Sequence, residues 1–259
     1  MVQLKYFGDS RDYFKYDFIT YVLEYMNLEN YVFVPMLTNH RDDNEGNKLP
    51  KMIGGKSASL LAFISGCKSK KSLSHWQQWL IKYVRNYKTI EPVDEEFFED
   101  ETRDEYWLSF SAHLKEKNAL IFLDPDTGLE TGRKSYLRKM GREKYILNHE
   151  IDLLHGHLDS SSILMIYQQL PHNKHIHIAA VSKKLAQLQA SNQGALVCAY
   201  REDDLAFLLM VTDLGVFNRL CICLTIYHAK SQHKFKSLHL TPNERLKSDG
   251  LQPAACGPQ

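Results

Sequence analysis

The sequence predicts an α/β protein: a mostly parallel sheet with helices on its faces and antiparallel strands at its C-terminal end. Three observations predict it. Residues 119–123 (ALIFL) form an unbroken apolar run that stops at Asp124-Pro125-Asp126-Thr127-Gly128, as a strand buried on both faces does where it enters a turn. Helical and strand-like patterns alternate around this run, and after residue 195 only strand-like runs remain. With 259 residues, 44% hydrophobic and 24% charged, the composition is that of a globular domain, expected to span residues 1–240.

In chain order, Asp9 or Ser10 offers a side-chain acceptor at a helix start, and Phe14, Phe18, Tyr21, Val22 and Tyr25 keep helical spacing to about Met26. Residues 31–37 (YVFVPML) read as a strand weakened by Pro35, which has no N–H for a central ladder. A polar loop over 38–47 follows, then a short helix over 58–64 and a second carrying Trp76, Trp79, Leu80, Tyr83 and Val84 on one stripe. Residues 88–91 read as a short strand. The acidic block 94–104 reads as a loop running into a helix that buries Tyr106, Trp107, Phe110 and Leu114. After the strand at 119–124, residues 134–142 read as a basic loop, 145–154 as helix, 162–168 as strand and 181–188 as helix. Strands are expected over 195–200, 206–212 and 220–227. Residues 241–259 lose all periodicity and are expected to be disordered.

Lys and Arg number 32 against 31 Asp and Glu, so no global field recruits nucleic acid; only a local basic patch would. Lys68, Lys70, Lys71 and the run from Arg133 to Arg142 are the candidate patches, with solvated loops as the plainer reading. No apolar stretch is long enough to cross a bilayer, and residues 1–10 lack the apolar core of a signal peptide, so no membrane partner and a cytoplasmic location are expected. The five cysteines are odd in number and sit mostly in apolar runs, which predicts free thiols. In an alternating strand Cys221 and Cys223 would share a face. The histidines at 155, 157, 172, 175 and 177 match no zinc spacing.

Two segments place polar residues at element ends. Asp9, Asp12 and Lys15 open the first helix, where backbone donors and both charge signs suit a ligand with phosphate, carboxylate or ribose groups; helix capping is the plainer role for the two aspartates. Asp124, Asp126 and Glu130 follow the central strand, at the carboxyl edge where open α/β sheets bind ligands. Tyr167 and Gln168 end another strand and are expected at the same rim.

The segments GDSRDYFKY, MLTNHRDDNEG, FLDPDTGLE, KYILNHEI and SSILMIYQQLP, in this order, resemble an uncharacterised bacterial family that shares GD..DY.KY and DPD.G.E motifs. The same layout is distantly similar to the ribosomal-RNA adenine-N6 methyltransferases. That resemblance implies a Rossmann-like sheet of the class I methyltransferase kind, S-adenosylmethionine as cofactor and a nucleic acid as partner. Asp124 and Pro125 match the start of a DPPY motif, and Lys15 matches the lysine of the family's N-terminal segment. Together with the residues at the element ends, this makes Asp124 and Asp126 the candidate catalytic pair, and Asp9, Asp12, Lys15 and Glu91 the candidate cofactor-binding residues. Glu91 corresponds in place to the carboxylate that holds the ribose hydroxyls. Asp126 and Thr127 depart from the motif by replacing its second proline and its tyrosine, and Pro35-Met36-Leu37-Thr38 holds no glycine. The last residues, from Pro242 on, resemble tails formed when a reading frame enters the recombination site of an integron gene cassette. Two alternatives stand beside this reading. One is a Mg²⁺-dependent phosphodiesterase or nuclease with Asp124, Asp126 and Glu130 as metal ligands, helped by Asp9 or Asp12. The other is a non-catalytic ligand-binding protein of the same fold.

Overall fold

The structure, a computed structural model, describes residues 10–37, 57–67, 73–89, 99–132, 134–231 and 233–240. The strands are β1 (Asn30–Val34), β2 (Asn86–Thr89), β3 (Ala119–Leu123), β4 (Gly128–Leu129), β5 (Tyr145–Ile146), β6 (Ile163–Gln169), β7 (Leu196–Glu202), β8 (Leu205–Val211) and β9 (Lys236–Leu240). Seven of them form one sheet in the order β2-β1-β3-β6-β8-β7-β9, and β4 and β5 form a separate parallel pair. Strands β2, β1, β3 and β6 pair in parallel, while β8 runs antiparallel to both β6 and β7, and β9 antiparallel to β7. Five strands therefore point one way and two the other. The fold is α/β and Rossmann-like, with a mostly parallel sheet and antiparallel C-terminal strands.

The central strands are buried on both faces because helices cover both. Successive side chains alternate sides. Leu120, Phe122, Met165 and Tyr167 join the core under helices α1 (Ser10–Met26), α2 (Ala58–Cys67), α3 (Leu73–Leu80) and α8 (Leu214–Lys230). Ala119, Ile121, Leu123, Leu164 and Ile166 face the core under α4 (Arg103–Phe110), α6 (Asn148–His157) and α7 (His177–Ser191). Helix α1 packs on the sheet and against α2 and α8, so its burial extends beyond one stripe to include Tyr13, Tyr16, Ile19 and Leu23. Phe18 stacks on Tyr200 at 5.3 Å and on Phe207 at 4.8 Å between ring centroids. Such pairs add about 0.5–1.5 kcal/mol to the burial itself. The helix ends where Asn27 turns left-handed (φ 54), with Leu28 N–H donating to Leu23 C=O and Asn27 N–H to Glu24 C=O. This double bond closes the last turn and aims the chain into β1.

Several elements differ from expectation. Residues 220–227 lie inside α8: Val216, Phe217, Leu220, Cys223, Leu224 and Tyr227 are buried at helical spacing, and Asp213 caps the start by accepting from Val216 N–H at 2.8 Å. The β-branched residues and cysteines there imitate a strand, but the cap and the period decide. Cys223 is consequently buried and Cys221 half-buried, both free. Residues 134–140 form helix α5 (Lys134–Met140), where a loop was expected. Tyr145 and Ile146 pair as β5 before α6 begins, and β9 was not foreseen. Pro35 stands just past β1, where it breaks no ladder. Glu91, Asp9, the loop at 38–47 and the tail at 241–259 lie outside the described residues. Among the described residues no helix is long and apolar enough to cross a membrane.

A buried ionic knot holds β5 in place. Arg103 donates to Glu150 Oε1 at 2.7 Å and also to the carbonyls of Tyr145 and Arg142, while Trp107 Nε1 donates to the same Glu150 oxygen at 2.5 Å. The second Glu150 oxygen accepts Leu147 N–H at 2.7 Å and so closes the first turn of α6. Glu150→Ala leaves the indole N–H without a partner and the guanidinium with only Asp100 at 3.1 Å as counter-charge, and we expect it to lower the unfolding free energy by about 1–3 kcal/mol in urea titration. A loss under about 1 kcal/mol would show that water replaces the carboxylate.

Candidate functional site

The chain runs outward from β1 to β2 and then returns to the other side of β1 as β3, so the sheet order reverses between β1 and β3. Ligands of open α/β sheets bind beyond the carboxyl ends of the strands at such a reversal. What stands there is Pro35-Met36-Leu37 after β1 and Asp124-Pro125-Asp126-Thr127 after β3. The two are joined by Asp124 N–H donating to Val34 C=O at 3.0 Å.

The loop after β3 is fixed from three sides. Thr127 N–H donates to Lys144 C=O, and Thr127 C=O accepts from Gln169 N–H, each at 2.9 Å. Gln168, at the end of β6, accepts Leu129 N–H at 3.1 Å and donates from its amide to Thr127 C=O at 3.2 Å. Gly128 lies against that amide with φ 124, and a Cβ there would come within 2.6 Å of Gln168, so the position needs glycine for both conformation and space. From α7, Lys184 Nζ donates to the carbonyls of Leu129 and Glu130 at 2.6 and 2.5 Å. Burial pulls this lysine down to about 8, against the pull of Glu130.

On this platform sits a buried charge cluster. Lys15 Nζ lies 2.7 Å from Asp124 Oδ2 and 3.2 Å from Asp12 Oδ1. All three side chains are buried. The ammonium also faces the Tyr167 ring at 5.0 Å and the Phe122 ring at 6.0 Å from their centroids. Burial alone would lower the Lys15 pKa, but Asp124 and Asp12 outweigh it and hold the ammonium above its ordinary value. Asp124 Oδ1 has no hydrogen-bond partner, and neither has Asp126 Oδ1, although the two aspartates are only 1% and 4% exposed. Burial raises the Asp126 pKa, with the chain's N-terminal ammonium and Lys144 opposing it and Asp124 and Glu143 adding to it. Two carboxylate oxygens thus lie out of water with no donor among the described residues. Buried acceptors are normally bonded, which makes these two, at a switch point, candidates to meet a ligand donor.

Asp12, Lys15, Asp124 and Asp126 are therefore brought together at one strand end. Glu130 is drawn off: its Oε1 accepts Asn148 N–H at 2.7 Å at the start of α6. Among the described residues no group of three His, Cys, Asp or Glu side chains is arranged to hold a metal ion. Of the expected rim residues, Gln168 braces the loop and Tyr167 packs under Lys15.

The sequence left other site features unassigned. Met36, two residues past β1, adopts φ 37, a left-handed conformation that residues other than glycine rarely take. Its N–H donates to the Tyr106 hydroxyl of α4 at 3.4 Å. The missing glycine thus does not prevent the turn; it leaves strain in it. Arg11 pairs with Asp204 at 2.7 Å, laying the first turns of α1 across the strand ends as far as the β7–β8 turn. Lys184, Arg103 and Tyr106 gave no local signal, because each acts on backbone or side chains far away in sequence.

Lys15→Met leaves two buried carboxylates without their cation, and we expect it to cost about 3–5 kcal/mol in denaturant unfolding. Adding Asp124→Asn should recover part of that loss, giving a coupling energy on the order of 1–3 kcal/mol in the double-mutant cycle. Additive losses would show that the two side chains do not interact directly.

Comparison of the chain with family models and with characterised proteins finds no match.

Proposed function

We propose that this chain is a methyltransferase-like protein that binds S-adenosylmethionine beyond the ends of β1 and β3 and directs an amino group of a nucleic acid at Asp124. The observation that carries the reading is the state of Asp124. One of its oxygens is held by Lys15 at 2.7 Å, and the other is buried and unbonded at the strand end beside the switch point. An acceptor fixed in this way suits an N–H donor: it would orient the amino nitrogen and hold its lone pair outward.

Sheet order supports the same reading. Antiparallel β8 is the second arm of a hairpin and slots between β6 and β7, which point the same way as each other. A reversed strand in that place is the arrangement of class I methyltransferase sheets, and the Asp-Pro step after β3 then falls after the strand that bears the family's DPPY motif. The residues present fit the cofactor's positive charge through Asp126, a buried carboxyl that no described residue pairs. S-adenosylmethionine, when bound, supplies an electrophilic methyl group. For a polyanionic substrate, α5 follows the loop in sequence and carries exposed Arg138 and Lys139, with Arg142 exposed just beyond. Thr127 gives no ring for an extruded base to stack on, so the aromatic face would come from elsewhere; Tyr106 already reaches the end of β1.

Calorimetric titration with S-adenosylmethionine tests the reading first, followed by transfer of labelled methyl to single-stranded RNA and DNA oligonucleotides. We expect binding in the wild type, and in Asp124→Asn retained binding with transfer reduced by about 10²–10³-fold, the scale for losing one preorganised polar contact to the reacting group. Absence of adenosyl binding in the folded wild type would sink the reading.

A further inference from the structure

The cluster is unbalanced. Among the described residues, three buried carboxylates, Asp12, Asp124 and Asp126, stand around the buried ammonium of Lys15, which lies 3.2 Å from Asp12 and 2.7 Å from Asp124. Asp126 makes no hydrogen bond or ion pair with any described residue, and its Oδ1 is sealed from solvent. Among the described residues its other charged neighbours are Glu143, which repels it, and Lys144, which attracts it without closing an ion pair; the chain's N-terminal ammonium also attracts it. An isolated carboxylate in such a place is costly, and in stable interiors it is either neutralised by a proton or paired with a cation. The upward shift of its pKa by burial is what the first outcome requires in the free protein.

Geometry limits which cation closes the pair. A hard metal ion needs several oxygen ligands, but Glu130 is committed to the start of α6 and no three-ligand group is arranged among the described residues. A single organic cation needs only one counter-charge, and Asp126 offers a buried carboxyl that no described residue pairs. Position 126 is also where the sequence departs from the DPPY pattern, so a charge stands where that pattern has a neutral ring.

We propose that Asp126 makes this site selective for a positively charged organic group, so that the protein binds S-adenosylmethionine in preference to S-adenosylhomocysteine, which lacks the sulfonium charge. The inference rests on the methyltransferase reading and specifies which side chain recognises the donor's charge. It also separates the two aspartates: Asp124 serves the amino group of the substrate, and Asp126 the cation of the donor.

The test is calorimetry on wild type and Asp126→Asn with three adenosyl compounds: S-adenosylmethionine, S-adenosylhomocysteine, and the analogue with an amino group in place of the methylsulfonium. Thermal unfolding without ligand and with Mg²⁺ completes the set. We expect both cationic compounds to bind wild type on the order of tenfold more tightly than the neutral one, the scale of one charge contact in a partly polar interior. Asp126→Asn should erase that preference by weakening only the two cations, and should melt higher than wild type when ligand-free, because the cost of burying that carboxyl without a partner is gone. Equal or tighter binding of the neutral compound by wild type would overturn the inference and leave the methyltransferase reading standing. A ligand-free Asp126→Asn that melts lower would also overturn it, by showing that the carboxylate has a partner. Stabilisation by Mg²⁺ that disappears in Asp126→Asn would overturn it in favour of a metal. Failure of all three adenosyl compounds to bind wild type would overturn the reading and the inference together.

Discussion

Placing Lys15 inside the protein is the constraint on which the rest of the site depends. An ammonium out of water costs several kcal/mol unless carboxylates meet it at short range. Helix α1 can therefore dock on the sheet only where its first turns set Lys15 between Asp12, one turn earlier on the same helix, and Asp124 at the end of β3. The aromatic packing of Phe14 and Phe18 against Phe207 and Tyr200 supplies apolar attraction, but such packing tolerates sliding. The ion pair does not. It fixes how far along the strands the helix sits, and it brings Arg11 to Asp204 at the far side of the rim.

A second set of contacts holds the partner of that lysine. Gln168, Lys184 and the β4–β5 pair fix the loop after β3 through its backbone, which leaves the aspartate side chains with few obligations to it. Below β5, the Arg103–Glu150–Trp107 knot stiffens the support. The molecule thus invests structure in holding two carboxylate oxygens where nothing in the described chain bonds them. A stability-driven design would fill such positions with apolar groups or give them donors. Their retention, together with the left-handed turn at Met36, is the pattern expected of a site that receives its missing partner from a ligand.

Much of this was legible in the sequence, for physical reasons that differ by element. The run ALIFL is a doubly buried strand and the Asp-Pro-Asp-Thr-Gly behind it a turn, as local chemistry predicts, and these place the candidate site. Helix α1 was legible from its period. Helix α8 was not, because Ile222, Thr225 and Ile226 favour strands by propensity while the helix is decided by an aspartate cap and by packing against α1. Strand β9 was missed because KSLHL is a polar, half-exposed edge segment with little apolar signal. What no local pattern holds is pairing across distance: Lys15 and Asp124 are 109 residues apart, and nothing at either position announces the other. The same holds for Glu130, whose nearness in sequence to Asp126 suggested a shared metal and whose side chain instead serves α6.

The central claim is that the ends of β1 and β3 form a binding site for an adenosyl cofactor. Hydrogen–deuterium exchange with and without S-adenosylmethionine tests it most directly, since it reports location as well as binding. The account predicts slowed exchange at the amides of Met36, Leu37, Asp126 and Thr127, with β7, β9 and the last turns of α8 unchanged. Protection confined to those distant elements, or none at all at saturating cofactor, would contradict it.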